Sequence, residues 1–87
     1  MMYPYMSLAD GTEIMHSQLT EKGEVHIHFE RARESGFDSV RCTLPSYSWT
    51  VWEGEFTPEE MEFYAEFVHK NAHLLYKYAK NGGVNIA

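Results

Sequence analysis

The chain has 87 residues, of which 44% are hydrophobic and 15% aromatic, and its formal net charge is −6. This length predicts a single domain over residues 1–87, and the apolar content is too high for a disordered chain. An acidic surface repels phosphate backbones, so we expect no nucleic-acid partner. No run approaches the roughly 18 apolar residues of a membrane span, so we also expect no membrane association.

Cysteine usage and the N-terminal segment point to one cellular compartment. Cys42 is the single cysteine, and one thiol cannot form an internal disulfide. The first ten residues lack the basic start and the long apolar stretch of a signal peptide. We therefore expect a cytoplasmic protein. Cys42 alternates with Val40 and Leu44, which predicts a buried thiol rather than an exposed nucleophile.

The first 52 residues have the alternation and turn residues that are typical of strands. Asp10-Gly11 and Gly23 mark the first two hairpin turns. The predicted strands span about 3–8, 13–19, 24–30, 38–44 and 47–52. Residues 31–37 are interpreted as a polar connection.

The period then changes to that of a helix. Thr57 is placed to cap, Pro58 suits the first helical position, and Glu60 completes a capping box. Gly82-Gly83 provides the left-handed end, so the helix is predicted over 58–81, with a tail at 84–87 that could add a short strand. The predicted fold is α+β. It is an antiparallel β-meander of four to five strands followed by one long C-terminal helix packed on one sheet face.

The predicted helix has two apolar stripes. The expected core stripe consists of Met61, Tyr64, Ala65, Val68, Ala72, Leu75, Tyr76 and Ala79. A neighbouring stripe consists of Phe63, Phe67, Leu74 and Tyr78. A helix on one sheet needs an apolar arc of only about 100°. The second stripe predicts a homodimer interface; the alternatives are a curved sheet or the tail covering it, or a different protein partner.

Histidines on the third strand suggest a metal site. His26 and His28 share one strand face, and His16 on the neighbouring strand could be a third ligand if the register allows it. This pattern predicts, as an alternative function, zinc binding or a small metal-dependent hydrolase. The competing interpretation is a solvated polar face, with Arg41 and Thr43 across from it and Arg41 pairing with Glu30. No catalytic motif accompanies the histidines, which argues against an enzyme.

The fifth strand is rich in aromatic residues. Tyr47, Trp49 and Trp52 fall within six residues, with Trp52 on the opposite strand face from the other two. Such a segment predicts, as a further alternative, a small-molecule binder.

Three stretches carry a family resemblance: Val25-His26-Ile27-His28-Phe29, Phe56-Thr57-Pro58-Glu59-Glu60 and Ala72-His73-Leu74-Leu75-Tyr76. Their order over residues 25–78 resembles a family of small bacterial proteins of unknown function, often found in toxin–antitoxin-like gene pairs. That family usually has Pro-Pro ahead of its His-x-His, where this sequence has Gly23-Glu24. The resemblance implies a bacterial, cytosolic accessory protein and assigns no catalytic residue.

The leading functional prediction combines these features. The second helix stripe and the absence of a catalytic motif favour a non-catalytic protein-interaction or regulatory module that self-associates.

Overall fold

The computed structural model describes residues 2–83. Within these residues, five strands form one antiparallel sheet in the order β1-β2-β3-β4-β5, and one helix follows them. The elements are β1 (Met2–Ser7), β2 (Glu13–Ser17), β3 (Val25–Arg33), β4 (Gly36–Leu44), β5 (Ser48–Glu53) and α1 (Pro58–Asn81). The predicted α+β meander with a C-terminal helix is confirmed. The extra strand predicted at 84–87 lies outside the described residues.

The β3–β4 hairpin is longer than the sequence analysis predicts. The prediction of a polar connection at 31–37 is wrong, because the ladder continues to the pair Arg33 and Gly36. Only residues 34–35 form the turn. The arginines of this segment are neutralised across the hairpin, where both Arg31 and Arg33 bind Asp38.

One face of the sheet packs against α1 and forms the core. Phe29 of β3 and Tyr64 of α1 stack with ring centroids 4.4 Å apart. The fully buried core side chains of β3 and β4 are Val25, Ile27, Phe29, Val40, Cys42 and Leu44. The buried residues of α1 are Tyr64, Val68, Leu75 and Ala79, all from the predicted core stripe. The alternate residues of the strands face away from α1, and we call that side the open face.

Two caps fix the bounds of α1. The Thr57 side chain accepts a hydrogen bond from the Glu60 backbone N–H (3.1 Å), and the Glu60 carboxylate accepts one from the Thr57 N–H (2.8 Å). Gly82 adopts the left-handed conformation with φ 82° and donates its N–H to the Tyr78 carbonyl. Because these groups satisfy otherwise unpaired backbone atoms, the helix begins and ends where the sequence predicts. Among the described residues, no helix is both long and apolar enough to cross a membrane.

A buried carboxylate joins the sheet to the start of α1. Asp38 is 2% exposed and binds Arg31 (2.8 Å), Arg33 (3.1 Å) and the Glu55 backbone N–H (3.2 Å). Burial alone would raise the pKa of Asp38, but these partners together hold it below its usual range. Arg31 also binds Glu60 in the first turn of α1. The network therefore links β3, β4 and the helix.

Gly54 lies directly against this network. Its φ is +79°, and a Cβ built on it would lie 2.9 Å from the Asp38 Cα, closer than real Cβ atoms approach. Gly23 has nearly the same φ, +77°, but nothing lies within 4 Å of its built Cβ. The two glycines therefore share the backbone requirement and differ in the space around them.

We expect Gly54→Ala to destabilise the protein much more than Gly23→Ala. The free energy of unfolding of the Gly23 variant should fall only by the cost of a left-handed backbone at a non-glycine residue, about 1–2 kcal/mol. The Gly54 variant should lose more, because its methyl group must displace the Asp38 backbone or carboxylate. Chemical denaturation of both variants measures the difference. Equal losses would show that Gly54 is needed only for its φ.

Candidate functional site

The open face carries a connected group of polar and aromatic side chains. His26 and His28 come from β3, and Arg41 and Thr43 come from β4. The register pairs His28 with Arg41 and His26 with Thr43. A His26 ring nitrogen lies 3.1 Å from the Thr43 hydroxyl. The predicted pair between Arg41 and Glu30 is wrong, because Glu30 lies opposite Ser39.

Three of these side chains form what we call the open-face cluster: His28, Arg41 and Trp52. The Arg41 Nε–H donates to His28 Nε2 at 2.8 Å. The Arg41 guanidinium carbon lies 4.5 Å from the Trp52 ring centroid, a cation–π contact. The His28 and Trp52 ring centroids are 5.6 Å apart. The guanidinium is therefore held by a hydrogen bond on one edge and by an indole on its face.

The cluster combines a buried imidazole with an exposed indole. His28 is 8% exposed, whereas Trp52 is 58% exposed. Burial lowers the pKa of His28, and the positive charge of Arg41 and the electrostatic interaction with His26 lower it further. His28 is therefore neutral near pH 7, with its proton on Nδ1, because Nε2 accepts from Arg41. Arg41 supplies the only positive charge of the cluster.

The structure does not assemble the predicted three-histidine metal site. His16 pairs with Ile27, whose side chain is buried under α1, so His16 lies on the opposite sheet face from His26 and His28. The register thus contradicts His16 as a third ligand. Within residues 2–83 no group of three or more His, Cys, Asp or Glu side chains is arranged to hold a metal ion. His26 and His28 remain together, as predicted.

His16 instead belongs to the core. It is fully buried, and its Nδ1 lies 2.9 Å from the Ser17 carbonyl. Its Nε2 has no hydrogen-bond partner among the described residues. The rings of Tyr3 and Tyr5 pack around it, at centroid distances of 5.7 Å and 6.2 Å. A buried ring on the helix side serves packing rather than metal binding.

The three aromatic residues predicted to bind a small molecule do not form one site. Trp49 is half-buried on the helix side, where its ring lies 5.9 Å from Phe29. Tyr47 precedes β5 and stacks on His69 of α1 at 4.1 Å. Trp52 lies on the open face with Arg41. The segment is therefore divided between the two sides of the sheet.

Tyr47 has an unusual backbone conformation. Its φ of 58° is rare for a bulky residue and costs on the order of 1–2 kcal/mol. The nearly parallel stack on His69, with an interplanar angle of 10°, offsets part of that cost. The geometry fastens the β4–β5 turn to one flank of α1.

The other flank of α1 explains part of the second apolar stripe. A bulge between Pro4 and Met6 lets Tyr5 turn toward the helix. The Tyr5 hydroxyl donates to the Asn71 side chain at 2.7 Å, and its ring contacts Phe67 and Tyr78. Phe67 and Tyr78 are thus partly covered within the chain, which is what the alternative of a curved sheet predicts.

The other two residues of the stripe differ in their exposure. Phe63 is 54% exposed, and Leu74 is half-buried. A shallow cavity of about 210 Å³ lies beside Phe63, lined by Phe63, Glu66, Phe67, Lys70 and Asn71. The homodimer interface predicted through Phe63, Phe67, Leu74 and Tyr78 remains a prediction. Of these four residues, Phe63 is the most exposed and therefore the one most available to a partner.

The side chain of the single cysteine points into the core, on the opposite side of the sheet from Arg41. Cys42 is fully buried, and burial raises its pKa to about 11. A thiol of that kind stays protonated and unreactive at neutral pH.

The sequence places Arg41 across from the His26 and His28 face, which the register confirms, but it does not predict the bond between Arg41 and His28. The signal was present, since alternation puts Arg41 on the His28 face of the sheet. The pairing partner depended on the hairpin turn, and a loop at 31–37 left the register undetermined.

No family model, no curated protein and no solved structure matches this chain. The resemblance to the bacterial His-x-His family therefore stays a prediction that rests on the sequence pattern.

Zinc is expected to leave the melting temperature unchanged. His26 and His28 supply only two imidazoles, the Arg41 guanidinium binds one of them, and stable zinc sites use three or four protein ligands. Thermal unfolding with zinc and with a chelator measures the effect, with the His26→Ala/His28→Ala variant as control. A zinc-dependent rise that disappears in that variant would contradict the expectation.

Proposed function

We propose that this protein is a non-catalytic interaction module that forms a homodimer through one surface of α1. We call this surface the exposed arc; it consists of Phe63, Glu59, Glu66, Lys70 and Lys77. The observation that carries the proposal is the order of charges around Phe63 on that helix. We take the setting to be the bacterial cytoplasm, on the grounds of the sequence pattern alone.

The exposed arc of α1 places an aromatic ring among charges of both signs. Glu59 and Glu66 lie in the first half of the helix, and Lys70 and Lys77 lie in the second half. All four are exposed, and the helical period puts them within the same arc as Phe63. A large exposed aromatic ring with such a polar surround is typical of an interaction surface.

A second copy of α1 fits this arc when it runs antiparallel. With a twofold axis at the level of Val68, Glu66, which binds Lys70 of its own helix at 2.8 Å, also lies opposite the partner's Lys70. The same register places Glu59 opposite the partner's Lys77. Both contacts occur twice, which gives four complementary pairs. The cavity beside Phe63 spans the same level, so the axis would pass over it.

The chemistry of the remaining candidates supports a non-catalytic role. The Cys42 thiol is buried with a raised pKa. His28 Nε2 is occupied by Arg41, so that nitrogen is not available to accept a proton from a substrate.

Phe63→Glu is expected to convert the dimer to a monomer without unfolding it. Phe63 is exposed in the monomer, so a charge there costs little until a second helix buries it. Size-exclusion chromatography with light scattering over a concentration series measures the mass. Phe37→Glu is the matched control, because Phe37 is 51% exposed and lies on β4. A wild-type mass that stays monomeric at every concentration would overturn the proposal.

Reversing two charges provides a more specific test of the antiparallel register. Glu66→Lys alone places lysines opposite each other twice and should weaken dimerisation, most strongly at low salt. Glu66→Lys combined with Lys70→Glu restores complementary pairs and should restore the dimer. The dissociation constants from sedimentation equilibrium measure both effects. A double variant as weak as the single variant would contradict this register.

A further inference from the structure

The open face offers a second surface, on the opposite side of the sheet from α1. We propose that this face docks a partner polypeptide through one acidic side chain, whose carboxylate binds the terminal nitrogens of Arg41. The proposal is independent of the dimer, because the open-face cluster and the exposed arc of α1 share no residue.

Arg41 is held in place without being neutralised. His28 accepts from its Nε, and the Trp52 ring lies against its face. Within residues 2–83 its two terminal nitrogens make no hydrogen bond or ion pair. Arg31 and Arg33 are different, because Asp38 and Glu60 bind them. A fixed guanidinium with a free pair of donors matches the two oxygens of a carboxylate.

The charge of the face favours a single carboxylate over a phosphate group. His28 is neutral, so the cluster offers one positive charge. Glu30 lies on the same open face and is half-buried, and Glu13 lies opposite it on β2, so two negative charges share the face with Arg41. These carboxylates would repel a dianion more strongly than a single carboxylate, which the two free terminal nitrogens of Arg41 can bind directly.

The shape of the face favours a polypeptide over a small molecule. Small ligands bind in concave sites that enclose most of their surface, whereas this cluster lies on the outer surface of a sheet. Trp52 exposes 58% of its surface beside the guanidinium. Tryptophan and arginine are the residue types that contribute most often to protein–protein binding energy. Trp52 would pack against the apolar neighbours of the acidic residue.

The test is an NMR titration that follows the two indole N–H signals. Trp52 reports on the open face, and Trp49, on the helix side, is the internal reference. The probe is acetyl-Leu-Glu-Leu-amide, with acetyl-Leu-Gln-Leu-amide as its uncharged match. We expect the glutamate peptide to shift the Trp52 signal saturably and to bind about tenfold more tightly than the glutamine peptide, the equivalent of one charge-assisted hydrogen bond.

Two variants isolate the contribution of Arg41. Arg41→Gln should weaken binding of the glutamate peptide about tenfold. Lys22→Gln removes the same charge at an exposed turn position and should leave binding unchanged. Neither variant should change the oligomeric mass, so failure here is distinguishable from failure of the proposed dimer.

Three kinds of result would overturn the proposal. One is equal binding of the glutamate and glutamine peptides, or unchanged binding by the Arg41→Gln variant. Another is tighter binding of inorganic phosphate than of the glutamate peptide, which would make the cluster a phosphate site. The third is acetate binding as tightly as the glutamate peptide, which would make it a site for small carboxylates.

Discussion

The register of the β3–β4 hairpin determines most of what this molecule presents. A turn of two residues pairs Arg33 with Gly36, and every later pair follows from that one. The register places Arg31 beside Asp38, and Arg31 then reaches Glu60 at the start of α1. It also places Arg41 beside His28 on the other face. A shift of one residue would exchange the two faces and lose both the buried network and the open-face cluster.

The sheet contacts α1 on both flanks, and this decides which helix residues remain outside. Tyr5 reaches one flank through the bulge in β1, and Tyr47 reaches the other by stacking on His69. A flat sheet would leave Phe67 and Tyr78 exposed, and the curved one covers part of each. Phe63 lies one turn closer to the helix start, beyond the reach of Tyr5, and stays in solvent.

Local sequence signals predict the strands and the helix, whereas the pairing of residues on different strands is less predictable from sequence. Thr57, Pro58 and Glu60 define a helix start through contacts within four residues, so the sequence alone predicts it. Alternation likewise predicts which β3 residues face the core. His16 shows the limit of such reasoning, because Ile14 and Met15 are both apolar, so the composition of β2 alone does not decide whether the face of His16 points to the core. The sequence places Arg41 on the histidine face but not opposite His28 in particular, since that pair depends on a turn whose length the composition conceals.

The two proposed surfaces lie on opposite sides of the sheet, so dimerisation through α1 leaves the open face accessible and can affect how tightly it binds a partner. A single carboxylate on one guanidinium gives weak binding, because much of the interaction energy is spent in displacing water. A dimer through α1 would carry two copies of the open face, each directed away from the shared axis of the helices. A partner with two acidic segments would then bind both open faces at once. Because the second contact would form at a high effective concentration, overall binding would be tighter than a single contact gives. Self-association would thus raise the affinity of the open face for a partner that carries two acidic segments.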